Sequence, residues 1–381
     1  MPSAKRLKVG LVFDDTLDSS DGVAQYVKTI GRYLSGQGHE VRYLVGESRT
    51  TEWADGKVYS LAKNIKVRFN GNKLSMPGLS RRRQIKKVLR DEDFDVLHIM
   101  VPYSPLMAAR VINMAAKKTA IVGTFHIFPA GWLSRAGSKL LRLWLSRNIR
   151  KFDKMLAVSK ASAQFARSAY KLDPVVVPNA VDVSSMSRPR VKKQKDIVFV
   201  GRLVDRKGCL YLLKAFKLLA TELSDVNVTV VGAGAQDQTL KRYVKSNGLD
   251  GRVRFAGFVS EEEKAELLSG AAVACFPSLY GEAFGIVLIE AMAAGSGVVL
   301  GGDNPGYRSV LGEHEELLIN PTDTAAFSQR LKTLLTDKQL AADLHAWQER
   351  SIKQYDVKIV GEHIESIYRS LIANKNKNEH N

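Results

Sequence analysis

The sequence predicts an α/β protein built from two doubly wound parallel sheets, each in a domain of its own. Short apolar runs alternate along the chain with longer amphipathic stretches, such as the helix predicted over 22–38. This alternation is typical of sheets covered by helices. The pattern stops at a segment rich in proline, serine and charge over 174–195 and then starts again. The length of 381 residues also fits two domains better than one.

The predicted strands fall into two groups, one on each side of that segment. The first group is LKVGLVF (7–13), VRYLV (41–45), VLHIM (96–100), AIVGTF (120–125) and KMLAVS (154–159). The second group is DIVFVGRL (196–203), VNVTVVGAG (226–234), RVRFAGF (252–258), AVACFPS (272–278) and GVVLGG (297–302). Because ligands of open α/β sheets bind beyond the carboxyl ends of the strands, we expect the functional residues in the loops that follow them.

The two groups of strands define the predicted domains. The N-terminal domain covers 1–187 and the C-terminal domain covers 188–356, and two such domains facing each other would form a cleft. A last helix is predicted over 357–373. The polar tail over 374–381, with the sequence NKNKNEHN after Ala373, is expected to be disordered.

The composition indicates a soluble globular protein that is strongly basic. Its formal net charge of +18 predicts attraction to an anionic partner such as nucleic acid, an acidic membrane surface or a phosphorylated substrate. Only two cysteines, Cys209 and Cys275, occur, which favours a reducing cytoplasm over a disulfide framework. We expect neither a signal peptide nor a membrane-spanning helix, so any membrane association should be peripheral.

The loop GRLVDRKG (201–208) is the first candidate site. A strand ends at Val200, and Arg202 and Lys207 follow it on the way to the next helix. Two cations beside the free N–H groups of a helix N-terminus are suited to binding a diphosphate. The alternative is a solvated basic loop without a ligand.

The run SLYGEAFGIVLIEAMAAG (278–295) is the second candidate site. A loop after a buried strand carries Glu282, and a helix predicted to start around Phe284–Gly285 carries Glu290. The N–H groups from Phe284 to Val287 could meet phosphate oxygens, with the two carboxylates on either side accepting hydrogen bonds from sugar hydroxyls. The alternative is one surface glutamate and one helical glutamate paired with a basic neighbour.

Three weaker signals accompany these sites. Gly22 follows an acidic loop at a predicted helix start and would permit an anion to approach the backbone. His126 ends a strand in GTFH (123–126) and could equally be a structural histidine. The GxG of VVGAGA (230–235) follows a strand, and a tight turn explains its glycines equally well. The sequence shows no metal-ligand spacing among its histidines, no GxSxG and no Walker motif, which disfavours hydrolase and NTPase chemistry.

Taken together, these residues resemble glycosyltransferase family 4, whose members are retaining enzymes of the GT-B fold. The resemblance covers nearly the whole chain through Gly22, GTFH, PNAVD (178–182), GRLVDRKG, VVGAGA and the pair Glu282 and Glu290. It implies two Rossmann-like domains with an interdomain cleft. It also implies that the last helix packs back onto the N-terminal domain.

The resemblance implies a role for each candidate residue. Arg202 and Lys207 would hold the donor diphosphate, Glu282 the donor sugar and Glu290 the ribose, while His126 would lie beside the reacting sugar. The residues implied in catalysis are Glu282, Arg202, Lys207 and His126, and those implied in donor binding are Gly22, Val259, Phe284, Gly285, Ile286, Val287 and Glu290. The implied reaction is a front-face transfer with retention, which needs neither a metal nor a cofactor.

A basic segment, LSRAGSKLLRLWLSRNIRK (133–151), predicts the acceptor side. On a helical projection its apolar residues share one arc, and the residues Arg135, Lys139, Arg142 and Trp144 would meet an anionic membrane surface. The run RRRQIKK (81–87) adds positive charge. With this feature and DNPGYRSVL (303–311), the sequence looks most like the phosphatidylinositol mannosyltransferase branch, which implies GDP-mannose as donor. The alternative is a helix that packs on its own domain.

Several functions stay open at this point. The favoured one is transfer of a hexose, with mannose preferred, from a nucleotide sugar to a lipid head group, by an enzyme on the inner face of the membrane. A family 4 enzyme with a soluble or polysaccharide acceptor would carry the same donor motifs, and a sugar-nucleotide epimerase shares the fold. A nucleic-acid-binding protein would explain the charge, but the basic residues lie in no motif of that class.

Overall fold

The computed structural model of the chain describes residues 5–19, 21–69, 72–78, 80–127, 147–188 and 196–379. The chain divides into two compact units: the first comprises residues up to Ala180 and again from Val357, and the second is Val181–Asp356. The predicted boundary between 187 and 188 was therefore wrong. Val181 already belongs to the second unit because its N–H donates to the carbonyl of Tyr355 at 3.0 Å and it forms a bridge with Asp356.

The first unit is built on a mostly parallel sheet with helices on its faces. Its strands are β1 (Lys8–Phe13), β2 (Glu40–Val45), β3 (Glu52–Trp53), β4 (Gly56–Ser60), β7 (Val96–Ile99), β8 (Ala120–Phe125), β9 (Lys154–Ala157) and β10 (Val175–Val176), while β5 (Asn64–Phe69) and β6 (Asn72–Pro77) form a separate antiparallel hairpin. The spatial order is β10-β9-β8-β7-β1-β2-β4-β3, and only the β3–β4 pair is antiparallel. Strand β1 is buried almost throughout, as expected of a central strand covered on both faces.

Of the four helices described in the first unit before Ala180, two begin with side chains that satisfy free backbone N–H groups. The four are α1 (Gly22–Gly36), α2 (Arg82–Glu92), α3 (Met107–Met114) and α4 (Lys160–Tyr170). Asp21 caps α1 and Ser159 caps α4, whereas α2 begins without a side-chain cap. Helix α2 buries Ile85 and Val88 against the sheet.

The second unit is a six-stranded parallel sheet within the described residues. Its strands are β11 (Asp196–Val200), β12 (Asn227–Val231), β13 (Val253–Gly257), β14 (Val273–Phe276), β15 (Val298–Gly302) and β16 (Leu318–Ile319). Their order, β13-β12-β11-β14-β15-β16, is that of a Rossmann sheet, in which the direction of winding reverses between the first and fourth strands. The second unit therefore has its switch point between β11 and β14.

The helices of the second unit connect these strands. They are α5 (Val183–Met186), α6 (Cys209–Glu222), α7 (Asp237–Ser246), α8 (Glu261–Gly270), α9 (Ile286–Ala293), α10 (Pro305–Leu311), α11 (Thr324–Thr336) and α12 (Lys338–Ser351), with 3-10 turns at Asp205–Lys207, Glu315–Leu317 and Ile352–Tyr355. Among the helices in the described part of the chain, none is both long enough and apolar enough to cross a bilayer.

The last helix, α13 (Val357–Glu379), returns to the first unit and packs on α1 and β8. Its buried residues Val360, Ile364 and Tyr368 recur every four positions and form one apolar stripe. The prediction of a disordered tail from 374 was wrong, because the helix continues to Glu379. Lys375 anchors this end: its ammonium group lies 3.0 Å from the carboxylate of Asp153 and donates to the carbonyl of Lys117 at 3.1 Å.

Candidate functional site

The two loops at the switch point of the second unit lie against each other. The loop after β11 contains the turn Asp205–Lys207, and the loop after β14 contains Ser278 and Glu282. The N–H of Leu279 donates to the carbonyl of Arg206 at 2.8 Å. Gly208 has a left-handed φ of 73°, and a Cβ at this position would lie 2.0 Å from the carbonyl oxygen of Pro277. Only glycine therefore allows this close approach of the two loops.

Glu282 lies between two cations of the neighbouring loop. Its Oε1 accepts hydrogen bonds from Arg206 Nη1 at 2.8 Å, from Lys207 Nζ at 2.7 Å and from the hydroxyl of Ser278 at 2.9 Å. The side chains of Arg206, Lys207 and Glu282 are 10%, 16% and 11% exposed. Lys207 and Glu282, which the sequence assigned to one site, are thus in direct contact.

The charge of this cluster is unbalanced. Burial acts to raise the pKa of Glu282, but attraction by Lys207 and Arg206 outweighs it and lowers that pKa to about 2. Glu282 is therefore an anion at neutral pH, and one carboxylate between two cations leaves a surplus positive charge. Burial, together with repulsion by Arg206 and the nearby Arg202, lowers the pKa of Lys207 despite its contact with Glu282. A second anion bound here would relieve that repulsion.

Glu290 on α9 is held by a lysine that the sequence analysis missed. Its Oε1 lies 3.1 Å from Lys264 Nζ, and the same ammonium group lies 2.6 Å from Glu261 at the start of α8. Burial acts to lower the pKa of Lys264, but its two carboxylate neighbours leave that pKa raised. Glu290 is therefore a helical glutamate paired with a basic neighbour, as the alternative interpretation expected. The contact with Lys264 fixes the position of its carboxylate.

The helix between the two glutamates begins slightly later than predicted. Helix α9 starts at Ile286, and Gly285 is its N-cap with a left-handed φ of 108°. Phe284 precedes the helix, is 3% exposed and packs edge-on against Tyr355. Ile286 and Val287, the first two residues of the helix, are half-buried. Their N–H groups have no hydrogen-bond partner within the helix, because they belong to its first turn.

Val259 and Arg202 complete the residues predicted in the second unit. Val259 is half-buried and follows the exposed Phe258 in the short connection between β13 and α8. This connection leads into α8. Lys264 of that helix pairs with Glu290, the predicted ligand of the ribose. Arg202 is exposed at the start of the loop after β11.

His126 lies in the first unit, directly after β8. Its ring packs edge-on against Tyr26 at a centroid distance of 4.7 Å, and Nε2 is buried without a hydrogen-bond partner in the described part of the chain. Burial, with a smaller effect of His98, lowers the pKa of His126 to about 3, so the imidazole is neutral at pH 7. A neutral ring with a buried, unpartnered nitrogen is suited to a hydrogen bond with a ligand hydroxyl.

Gly22 is exposed and begins α1, but the nearby helix N–H groups are already occupied. The carboxylate of Asp21 accepts hydrogen bonds from the N–H groups of Val23 and Ala24 at 2.9 and 3.1 Å. An anion at this end of α1 would therefore lie close to the negative charge of Asp21. The predicted membrane residues Arg135, Lys139, Arg142 and Trp144 lie outside the described residues.

Sequence reasoning overlooked Arg206, Ser278 and Lys264. Arg206 is adjacent to Lys207, and Ser278 is the polar residue at the end of a buried strand, so both had a signal in the sequence. Lys264 had none, because its partner Glu290 is on a different helix and no local spacing relates the two.

Comparisons with known proteins agree with this arrangement. Residues 20–185 match the family model described as Glycosyltransferase Family 4, and residues 184–354 match the model described as Glycosyl transferases group 1. The chain is 31% identical over 374 residues to a phosphatidyl-myo-inositol mannosyltransferase of Mycolicibacterium smegmatis. The alignment covers 96% of this chain and 94% of that protein.

Solved structures show the same fold. A glycosyltransferase from Rickettsia africae superposes with a TM-score of 0.77 at 16% identity, over 97% of this chain and 100% of that one. HepE of Anabaena, solved with UDP and glucose, has a TM-score of 0.75 at 18% identity, over 96% of this chain and 100% of that one. The chain therefore belongs to glycosyltransferase family 4, has the GT-B fold, and is similar along nearly its whole length to a phosphatidyl-myo-inositol mannosyltransferase.

Proposed function

We propose that this protein transfers a hexose, mannose being favoured, from a nucleotide sugar to a lipid head group such as phosphatidylinositol. The observation that carries the proposal is the surplus positive charge at the switch point of the second unit. There, Arg206 and Lys207 share the single carboxylate of Glu282. A diphosphate supplies the missing negative charge, and cations held in place before it binds stabilise it as a leaving group.

The donor has a place for each of its parts along the second unit. The diphosphate lies between Arg202, Lys207 and the start of α9, Glu282 binds hydroxyls of the sugar, and Glu290 binds the ribose. The nucleobase meets the backbone of Val259. Mannose is favoured as the sugar because the mycobacterial relative is a mannosyltransferase by name, and GDP-mannose is the donor that the sequence resemblance implies.

The transfer proceeds with retention of the anomeric configuration. It needs no metal, because Arg202 and Lys207 stabilise the departing diphosphate. One oxygen of that diphosphate accepts the proton of the attacking hydroxyl. His126 offers its neutral imidazole to a hydroxyl of the sugar. The protein's own contribution is thus positioning and electrostatic stabilisation.

The acceptor is a lipid head group on the inner face of the membrane, which the protein reaches as a peripheral enzyme. Within the described residues this is supported by α2 and the residue before it, whose exposed cations form one surface: Arg81, Arg82, Arg83, Lys86, Lys87 and Arg90. We call this surface the basic face of α2. Clustered exposed cations attract anionic lipid by about 1 kcal/mol each near the membrane surface.

Turnover by the full-length protein tests the proposal. GDP-mannose labelled in the sugar is incubated with phosphatidylinositol vesicles, with a soluble sugar acceptor, or without acceptor, and UDP-glucose is compared as donor. We expect labelled lipid from GDP-mannose, loss of activity in Lys207→Ala and full activity in Lys245→Ala, a control at an exposed lysine of α7. NMR of the product would show whether the anomeric configuration is retained.

Other outcomes identify other functions. A labelled product with the soluble acceptor alone would replace the lipid acceptor by a soluble one. Conversion of the sugar without any acceptor would identify an epimerase.

A further inference from the structure

The carboxylate of Glu282 has an asymmetric set of partners. The three hydrogen bonds that the described residues give it, from Arg206, Lys207 and Ser278, all end on Oε1. The carboxylate is ionised and can only accept hydrogen bonds, with capacity on both oxygens. Oε1 is thus saturated by the protein, and Oε2 keeps its capacity for a ligand hydroxyl.

Ser278 links Glu282 to a buried tyrosine. Because the ionised carboxylate has no proton, the hydroxyl of Ser278 must donate its single proton to Oε1 and can accept a hydrogen bond itself. It accepts one from the hydroxyl of Tyr307 at 3.3 Å. Ser278 is 1% exposed and Tyr307 is fully buried. The result is a directed chain of donors from Tyr307 through Ser278 to Glu282.

The backbone around this chain is fixed by Asn304, the N-cap of α10. Asn304 accepts from the N–H of Tyr307 at 3.0 Å and donates to the carbonyl oxygens of Ser278 and Gly302, both at 3.1 Å. The ring of Tyr307 also lies against the start of α9, since a Cβ at Gly285 would come within 2.6 Å of it. Both hydroxyls are therefore held by a packed and hydrogen-bonded surround.

We infer that Tyr307 and Ser278 are positioning residues that fix the carboxylate of Glu282, so that Oε2 is presented to a hydroxyl of the donor sugar. This gives a role to Tyr307 and Asn304 of the motif DNPGYRSVL, which had none in the predicted site. The inference rests on the proposed function, because it requires Glu282 to contact the sugar.

The first test separates binding of the sugar from binding of the nucleotide. Tyr307→Phe keeps the ring and removes the hydroxyl. We expect kcat/KM for GDP-mannose to fall about tenfold, the scale of one hydrogen bond, while the Kd of GDP, which lacks the mannose, changes less than twofold. Ser278→Ala should give a similar loss. The double variant should lose less than the product of the two, because both act through one carboxylate.

The control is Tyr355→Phe. Tyr355 is another buried tyrosine of the same unit, and its hydroxyl is 3.5 Å from the carbonyl oxygen of Ser309. Removing that hydroxyl should leave kcat/KM for GDP-mannose within twofold of the wild-type value. An equal loss of affinity for GDP and GDP-mannose in Tyr307→Phe would indicate a merely structural role and overturn the inference.

A second measurement decides the inference without turnover. The protein is labelled with 13C at the glutamate carboxyl carbon, and the Glu282 resonance is assigned by its absence in Glu282→Gln. At pH 7 we expect this resonance to shift in Ser278→Ala and in Tyr307→Phe and to stay in place in Tyr355→Phe. An unshifted resonance in Tyr307→Phe would refute the chain of donors. Failure of the wild type to use any nucleotide sugar would instead refute the proposed function.

Discussion

At the scale of the residue, Glu282 has to serve two purposes. It is the counter-charge of two largely buried cations, Arg206 and Lys207, and it is the proposed ligand of the donor sugar. These purposes are compatible because they use different oxygens of one carboxylate. A substitution at Glu282 therefore acts on stability as well as on catalysis, and the two effects have to be measured separately.

Glu282→Gln should abolish transfer and also destabilise the second unit. The amide leaves two cations without a counter-charge, and breaking a buried ion pair in this way costs about 3–5 kcal/mol. Urea unfolding measures this cost. Glu263→Gln, an exposed glutamate of α8, is the matched control and should stay within about 0.5 kcal/mol of the wild type. Unchanged stability in Glu282→Gln would show that the cations do not depend on this carboxylate.

Asp14 is a buried acid of the first unit that performs a structural task. It follows β1, and its carboxylate accepts from the N–H of Ala108 at 2.9 Å and from the hydroxyl of Ser104. It thereby caps α3, which has no side-chain cap of its own. Burial raises the pKa of Asp14 to about 7, although both hydrogen bonds act to lower it.

This raised pKa predicts that stability falls as the pH rises from about 4 to about 7. An acid whose pKa is higher in the folded than in the unfolded state binds more protons when folded. Its contribution is therefore complete below pH 4 and is lost as the pH rises to about 7, a change of a few kcal/mol. Asp14→Asn cannot lose a proton, so its melting temperature should fall less between pH 5 and 8 than that of the wild type. Parallel curves for the two proteins would contradict this.

At the scale of the element, the sequence predicted the central buried strands and missed β4, the hairpin of β5 and β6, and the two-residue strands. Central parallel strands such as β1 and β11 are continuous apolar runs, which are visible locally. The two-residue strands β10 and β16 carry too little pattern, and α13 outlasts its apolar stripe because Lys375 is held by Asp153, a contact distant in sequence. For β10, β16 and α13, the prediction was thus limited by a short length or by a long-range contact.

The candidate site shows the same division. The sequence predicted that the loops after β11 and β14 carry the functional charges, because both follow buried strands. It could not predict that Lys207 and Glu282 touch, since they are 75 positions apart. The Lys264–Glu290 pair could not be predicted either, because its two residues lie on different helices. Types and locations of residues were predictable, but their partners were not.

The basic face of α2 predicts a salt-sensitive association with anionic lipid. Replacing Lys86 and Lys87 together by Gln should weaken sedimentation with phosphatidylinositol vesicles at low salt by about tenfold or more, at about 1 kcal/mol per cation. Added salt should reduce the difference because it screens exposed charges. The control is Arg242→Gln with Lys245→Gln on α7, two exposed cations of the other unit. Equal weakening by both pairs would show that only net charge matters.

At the scale of the whole molecule, the chain builds one unit without interruption and the other from two pieces. The second unit, Val181–Asp356, is continuous, whereas the first needs α13 from the far end of the chain. His98, which is fully buried, depends on this return: Nδ1 lies 2.6 Å from the hydroxyl of Tyr368 on α13, and Nε2 lies 2.6 Å from the hydroxyl of Thr124. Without α13, that nitrogen and the apolar residues beneath the helix lose their partners.

The two units should consequently differ when they are made separately. A fragment of residues 181–356 should unfold cooperatively in urea and bind GDP with a Kd within a few fold of the full chain, because it contains its whole sheet and the switch-point cluster.

A fragment of residues 1–180 should lack a cooperative transition. An unsatisfied buried nitrogen costs about 1–3 kcal/mol, and the lost stripe of Val360, Ile364 and Tyr368 costs several more. Joining residues 357–381 to 1–180 through a flexible linker should restore the transition. Equal stability of 1–180 with and without that segment would show that α13 does not complete the first unit.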